Sequence, residues 1–263
     1  QCSHQRKKGS EPCLSVNIDE GTYYCHHCSW KGGLNEKHSN PTPPIVRPKE
    51  KPKTDIPEEV MSWFKDRGIS EDVVISEKIG YNNRWIQFPF YKGGEVVNIK
   101  SRTADKKFRQ EKNAEKCFYR FDHMEGMETI IITEGEMDAL SLVECGYNNV
   151  VSIPDGAIAP NAKPSDAKFS YLLSAEKQML GAVTIILAMD NDPSGDAMRD
   201  ELSRRIGREK CYRVSYPDGC KDMNEVLMKH GEEKVIDLIT DAPPYPIDGV
   251  ITIADVTEDA IDL

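Results

Sequence analysis

No stretch of this 263-residue sequence comes near eighteen consecutive apolar residues, which excludes a membrane-spanning helix. An apolar leader is missing too, since the chain opens at Gln1 on a polar, basic segment, so secretion is unsupported. The start lacks Met, and the expectation is that something upstream is absent. An excess of positive charge is lacking: 34 Lys and Arg against 44 Asp and Glu give a net charge of −10. That excludes an all-over basic nucleic-acid coat, although local basic stretches and cation-holding carboxylates remain open. The phosphate loop of a Walker A motif is also missing. The run from Gly93 to Ser101 ends like one, but Ile99 stands where its second glycine must be. Eight cysteines lack the spacing of a disulfide framework. Cys2, Cys13, Cys25 and Cys28 crowd one end and read as metal chemistry, while Cys117, Cys145, Cys211 and Cys220 read as scattered reduced thiols.

What is present divides the chain. Residues 41–53 hold five prolines in thirteen, which precludes helix and central strand and predicts an extended spacer over 41–54. The module before it, 1–40, is too small for an apolar core alone and needs a staple. Pro243, Pro244 and Pro246 mark a second boundary, with an acidic connector at 243–263. Residues 55–124 read as a mixed α+β subdomain. A helix is expected over 57–67, followed by strands at 85–90 and 95–101 joined through Gly93 and Gly94. Over 125–242, apolar runs at 130–133, 150–153, 183–189 and 212–215 alternate with helical patterns at 136–145, 194–206 and 223–230. Such alternation predicts an α/β fold, a mostly parallel sheet flanked by helices, with ligands at the carboxyl ends of its strands.

Cys25 and Cys28, two residues apart and followed by Gly32 and Gly33, have the spacing with which two thiolates bite one Zn²⁺ from a tight turn. Cys2 is the natural third ligand of a small zinc-ribbon module. The fourth is a cysteine upstream of Gln1, or else His4 or Cys13, although Cys13 reads better as a small core residue. His26 and His27 read as facing solvent or template.

Glu134 follows the apolar run 130–133, Gly135 permits a tight turn, and Asp138 lies one helical turn further on, able to share the same crevice. A second buried run ends in Asp190 and Asp192, with Pro193 and Gly195 making the turn behind them. Carboxylates at adjacent strand ends repel one another unless cations lie between them, so Mg²⁺ or Mn²⁺ is the economical expectation. Between Lys92 and Arg120 the chain turns basic, with nine Lys or Arg against four Asp or Glu. Lys100 and Arg102 alternate along a strand and share a face, a geometry suited to phosphates.

Thr133-Glu-Gly-Glu-Met-Asp138 together with Asp190-Asn-Asp-Pro-Ser-Gly195 resembles the TOPRIM signature of primases, type IA and II topoisomerases and some nucleases. The preceding cysteine module narrows the resemblance to DnaG-type primases, phage primase-helicases and Twinkle-like proteins. It covers nearly the whole chain, residues 1–246, and extends to Lys221-Asp-Met-Asn-Glu225, similar to the family's Lys-Asp-x-Asn element. The first cysteine of the family's zinc knuckle is not in this sequence. The resemblance implies a TOPRIM-type sheet over 125–242, with Glu134, Asp190 and Asp192 as catalytic metal-site residues and Asp222 in support. With Asp138 these form the expected magnesium set. It implies catalytic parts for Lys100 and Lys106 as well, and phosphate or template contacts for Lys100, Arg102, Lys106, Lys107 and Arg109.

The expected activity is that of a DNA-dependent RNA primase. It would make short RNA primers from ribonucleoside triphosphates on single-stranded DNA, with Mg²⁺ (or Mn²⁺) and Zn²⁺ as cofactors. A replicative helicase, fused beyond Leu263, and a DNA polymerase would be its partners, in the cytoplasm of a bacterium or a phage-infected host. The rivals are a catalytically weak adaptor that binds single-stranded DNA and couples to a helicase, and a TOPRIM nuclease. A topoisomerase would need a nucleophilic Tyr in a further domain, for which the chain has no room.

Overall fold

The computed structural model describes residues 13–19, 21–26, 31–33, 44–161 and 164–247. The chain divides into two units, Gln1–Pro44 and Ile45–Leu263.

In the first unit, β1 (Leu14–Asn17), β2 (Thr22–Cys25) and β3 (Lys31–Gly33) form an antiparallel sheet in that order. Gly21, at φ 62°, supplies the left-handed turn between β1 and β2. Tyr23 pairs with Gly32, and its ring crosses the position a Cβ of Gly32 would occupy. Leu14 and Val16 remain exposed, so the sheet buries little apolar surface. Cys13 differs from the expected small core residue. It is half-buried, its carbonyl accepts from His26 N (2.8 Å), and its Sγ lies 3.3 Å from Cys25 Sγ. Cys2, His4, His27 and Cys28 lie outside the described residues.

In the second unit, the expected spacer is less independent than its prolines suggest. Val46 N donates to the Asn113 carbonyl (2.9 Å) and Tyr81 N to the Lys53 carbonyl (2.8 Å). Pro52 fills the space beside Gly80 that any side chain would need. Over its described residues, 44–54, the segment forms neither helix nor strand, and its backbone and the Pro52 ring are used by the body of the protein.

Helix α1 (Glu58–Lys65) begins at Pro57 with Glu58 and Glu59 in its first turn, where the helix dipole favours them. A short α2 (Glu71–Ser76), not foreseen in the sequence, is capped by Ser70, whose hydroxyl accepts from Val73 N. Four antiparallel strands follow: β4 (Gly80–Asn82), β5 (Trp85–Lys92), β6 (Glu95–Arg102) and β7 (Phe108–Gln110), in that order. Gly93 and Gly94 both have positive φ in the β5–β6 turn, and the Asp122 carboxylate accepts from both their amides.

Beyond a short 3-10 turn lie β8 (Thr129–Thr133), α3 (Glu136–Glu144), β9 (Val150–Ser152), α4 (Ser170–Ser174), α5 (Glu176–Gly181), β10 (Thr184–Ala188), α6 (Pro193–Ile206), β11 (Cys211–Arg213) and α7 (Met223–Thr240). The sheet runs β11-β10-β8-β9, all parallel. Ile130, Ile131 and Ile132 are wholly buried, which explains why β8 reads as a continuous apolar run. Each such side chain contributes roughly 1.5–3 kcal/mol. Helix α7 runs beyond the expected stop at 230. Gly231, at φ 81°, breaks it there, and a second helical stretch resumes to Thr240.

The antiparallel and parallel sheets share one apolar core. Tyr119 bridges to Ser152 on the edge of the parallel sheet. Arg120, almost fully buried, bonds Glu77 Oε2 (3.0 Å) and the carbonyl of Val150 (2.7 Å). Among the described residues, no helix is long and apolar enough to cross a membrane.

Candidate active site

Strand register decides where the acids meet. Thr133 pairs with Ala188, so the ends of β8 and β10 lie side by side and release Glu134 and Asp190 onto the same crest. Because β9 and β10 flank β8 on opposite sides, this is where the connections diverge and a crevice opens. A cavity of about 980 Å³ lies there, lined by Glu134, Asp138, Asp190 and Asp222 on the acidic side and by Lys100, Arg102 and Lys106 on the other.

Each acid is held differently. Glu134 Oε1 accepts from Ala157 N at 3.3 Å, while Oε2 is buried with no hydrogen-bond partner among the described residues. Burial, reinforced by the neighbouring Asp190 charge, pushes the Glu134 carboxyl up to about 7. Asp190 is raised from its ordinary value by burial, against the pull of Lys221. Asp192 caps α6, its Oδ1 accepting from Ser194 N and Gly195 N at 2.9 Å each. Those amides hold it below the usual carboxylate range. Gly195 has a geometric reason to be glycine, since a Cβ there would collide with the Asp190 carbonyl. Asp138 is buried, and its Oδ1 accepts from Met223 N (3.1 Å) and Asn224 N (3.3 Å) at the start of α7. Desolvation raises it well above normal. Asp222 is the cap of α7, accepting from Glu225 N at 2.8 Å.

Across the cavity, Lys100 Nζ lies 2.7 Å from Glu136 Oε1, in a pair that leaves Lys100 only 8% exposed. Arg102 stacks near Trp63 and Phe108, at 5.0 and 5.5 Å, and its buried Nε has no hydrogen-bond partner among the described residues. Desolvation, with Arg67 nearby, weakens its hold on its proton. Arg67 also lies over the Trp63 ring, 3.8 Å from its centroid.

Two expected phosphate contacts lie elsewhere. Lys107 pairs with Asp105 at an exposed site, and Arg109 stacks on Trp85 at 4.1 Å. For Arg109 strand alternation is the reason, because Phe108 and Gln110 take the cavity face of β7 and Arg109 takes the reverse. Sequence reasoning alone does not single out Glu136, Arg67 or Lys221. Glu136 stood two residues after Glu134, and Lys221 within the Lys-Asp-x-Asn element, but no pattern singled out Arg67.

Among the described residues, no three His, Cys, Asp or Glu side chains converge as a ready-made metal cage. Mg²⁺ needs no such cage, since it keeps waters and takes one or two carboxylates plus phosphate oxygens. The hard oxygen donors and the orphaned Glu134 Oε2 fit it. The close sulfurs of Cys13 and Cys25 are likewise compatible with thiolates sharing one Zn²⁺. An acidic crest facing a basic wall suits a phosphate ester or triphosphate that arrives with divalent cations.

Residues 128–215 match the family model described as Toprim domain. The chain is 36% identical over 214 residues to a Twinkle homolog protein, chloroplastic/mitochondrial, of Arabidopsis thaliana, covering 75% of this chain and 30% of that one. It is 36% identical over 205 residues to a primase homolog protein of the same plant (72% and 61%). To the DNA helicase/primase of Enterobacteria phage T3 it is 30% identical over 197 residues (71% and 32%). It thus spans from under a third to about three-fifths of these relatives' lengths. Among solved structures, the primase fragment of the bacteriophage T7 primase-helicase aligns with a TM-score of 0.57 at 22% identity, covering 88% of this chain and 95% of that one. The Aquifex aeolicus primase zinc-binding and RNA polymerase domains align with a TM-score of 0.56 at 15% identity (89% and 76%). Residues 128–215 therefore match a Toprim domain, and the chain has the fold of the DnaG and phage primases and sequence similarity to Twinkle, primase homolog and phage helicase/primase proteins.

Proposed function

We propose that the chain is the primase portion of a replication protein, joining ribonucleotides into short RNA primers on single-stranded DNA. The observation that carries this reading is the single cavity in which Glu134, Asp190 and Asp222 face Lys100, Arg102 and Lys106. The reaction joins a 3′ oxygen to the α-phosphorus of the next nucleotide, breaks the bond to the β-phosphate oxygen, and releases pyrophosphate and the hydroxyl proton. Asp190, Asp192 and Glu134 would hold Mg²⁺, with Asp222 in support. When bound, Mg²⁺ supplies charge neutralisation at the attacking and leaving oxygens. Glu134, with its carboxyl at about 7, is suited to exchanging a proton near neutrality until a cation settles on it. Arg102, Lys106 and Arg67 would neutralise and orient the triphosphate. The Lys100 ammonium, paired with Glu136, would set the position of that wall. The cysteine module would hold Zn²⁺ through Cys25 and Cys28 and read the template. A helicase in the full-length protein and a DNA polymerase would be its partners.

The test is incorporation of labelled ribonucleotides on short single-stranded DNA templates with Mg²⁺ or Mn²⁺, comparing wild type with Asp190→Ala. Short RNA oligomers that vanish in the variant are expected. Intact single-strand binding without any RNA product would replace the reading with that of an adaptor.

A further inference from the structure

The acidic crest carries a cation of its own. Lys221 Nζ lies 3.3 Å from Asp190 Oδ2 and 3.1 Å from Asp192 Oδ2, bridging the two carboxylates of the Asp-x-Asp pair. Its backbone is pinned. The Lys221 carbonyl accepts from Asn191 N at 2.6 Å, its amide donates to Glu225 Oε2 at 3.2 Å, and the next residue caps α7. Its side chain is not pinned, being 52% exposed on a four-carbon stem. Lys100 contrasts with it, buried and committed to Glu136. An ammonium at this distance from two carboxylate oxygens fills the place between them. A divalent ion with oxygen ligands at about 2.0–2.1 Å needs that same place.

We propose that Lys221 is a displaceable counter-cation, holding Asp190 and Asp192 when no metal is bound and yielding them to a divalent ion that arrives with nucleotide phosphates. The proposal rests on the reading of the Asp-x-Asp pair as the metal site. In the free chain the metal must compete with the ammonium, so it binds weakly. When a phosphate chain enters, its oxygens complete the metal's coordination and its charge receives the released ammonium. Metal loading and triphosphate binding thereby become one event, with Lys221 as the positioning residue that couples them.

Mn²⁺ binding, measured by calorimetry or electron spin resonance on the 263-residue chain, tests this without any turnover. Lys221→Met is expected to tighten Mn²⁺ binding about 3- to 10-fold in the absence of phosphates, since two partly exposed ion pairs no longer compete. Lys177→Met removes the same unit of charge from an exposed residue paired with Glu125, outside the lining of the site's cavity, and is expected to leave Mn²⁺ affinity unchanged. Inorganic pyrophosphate is expected to strengthen Mn²⁺ binding more in wild type than in Lys221→Met. Unchanged or weaker Mn²⁺ binding in Lys221→Met, or equal tightening in the two lysine variants, would overturn the proposal. So would equal coupling to pyrophosphate in wild type and Lys221→Met. Asp190→Asn separates the two failures. If it binds Mn²⁺ as wild type does, the metal-site reading itself is wrong. If it loses Mn²⁺ while Lys221→Met gains nothing, only the counter-cation fails.

Discussion

Asp192 has two separable duties, and a pair of substitutions should pull them apart. One oxygen caps α6 through the amides of Ser194 and Gly195, and the other faces Lys221 and, on the proposed reading, would bind the metal. Asn keeps a carbonyl oxygen for the cap and removes the charge, whereas Ala removes both. Losing an N-cap acceptor costs about 1 kcal/mol, within a range of roughly 0.5–2. The Lys221 pair is half-exposed and adds about 0–1 kcal/mol, which relief of repulsion with Asp190 offsets in both variants. The stability difference between Asp192→Ala and Asp192→Asn should therefore be about 1 kcal/mol, or roughly 2–4 °C in melting temperature for a unit of this size. Thermal melts in EDTA read the cap alone, and Mn²⁺ titration reads the charge. Asp192→Asn should melt close to wild type yet bind Mn²⁺ as poorly as Asp192→Ala. Equal melting temperatures for the two variants would refute the capping argument, and Mn²⁺ binding retained by Asp192→Asn would refute the assignment of its charge.

Arg120→Ala should destabilise the second unit by about 3–5 kcal/mol, because it leaves Glu77 buried and unpaired and strips a donor from the Val150 carbonyl. Urea unfolding measures this, and adding Glu77→Ala should recover part of the loss; a cost below about 1 kcal/mol would contradict it. Glu134 holds a proton in the metal-free fold that the unfolded chain has already released, so stability in EDTA should fall as pH rises from about 4.5 through 7. Glu134→Gln should therefore gain on wild type by on the order of 1–2 kcal/mol between pH 5 and pH 8, after allowance for solvent screening. An advantage that does not change with pH would sink the argument.

The parts of the site that sequence revealed are those written locally. Strands β8 and β10 are buried on both faces, so they appear as unbroken apolar runs, and whatever follows them is at the carboxyl edge of the sheet. Glu134, Asp190 and Asp192 could be located on that basis alone. The Gly93-Gly94 turn was equally legible, because positive φ at both positions is a local demand. What could not be read was pairing across elements. That Lys100 meets Glu136 depends on which face of β6 lies against α3, and that Arg67 joins Arg102 over Trp63 depends on how α1 packs. Arg109 groups with its basic neighbours by charge, but the alternation of a three-residue strand turns it away. Helices α2, α4 and α5, of five or six residues each, are too short for a helical period to stand out.

The two amides at the head of α7 that Asp138 Oδ1 receives bear on how small a working fragment could be made. The stretch matching the Toprim family model stops at residue 215, before Lys221, Asp222, Met223 and Asn224. A piece trimmed to 128–215 would keep Glu134, Asp190 and Asp192 in sequence, yet strand a buried acid with its donors deleted and remove the cation that bridges the Asp-x-Asp pair. The minimal excisable segment is therefore longer than the stretch that matches the family model. It has to reach through α7, whose opening turn belongs to the site although its residues lie outside that matched stretch.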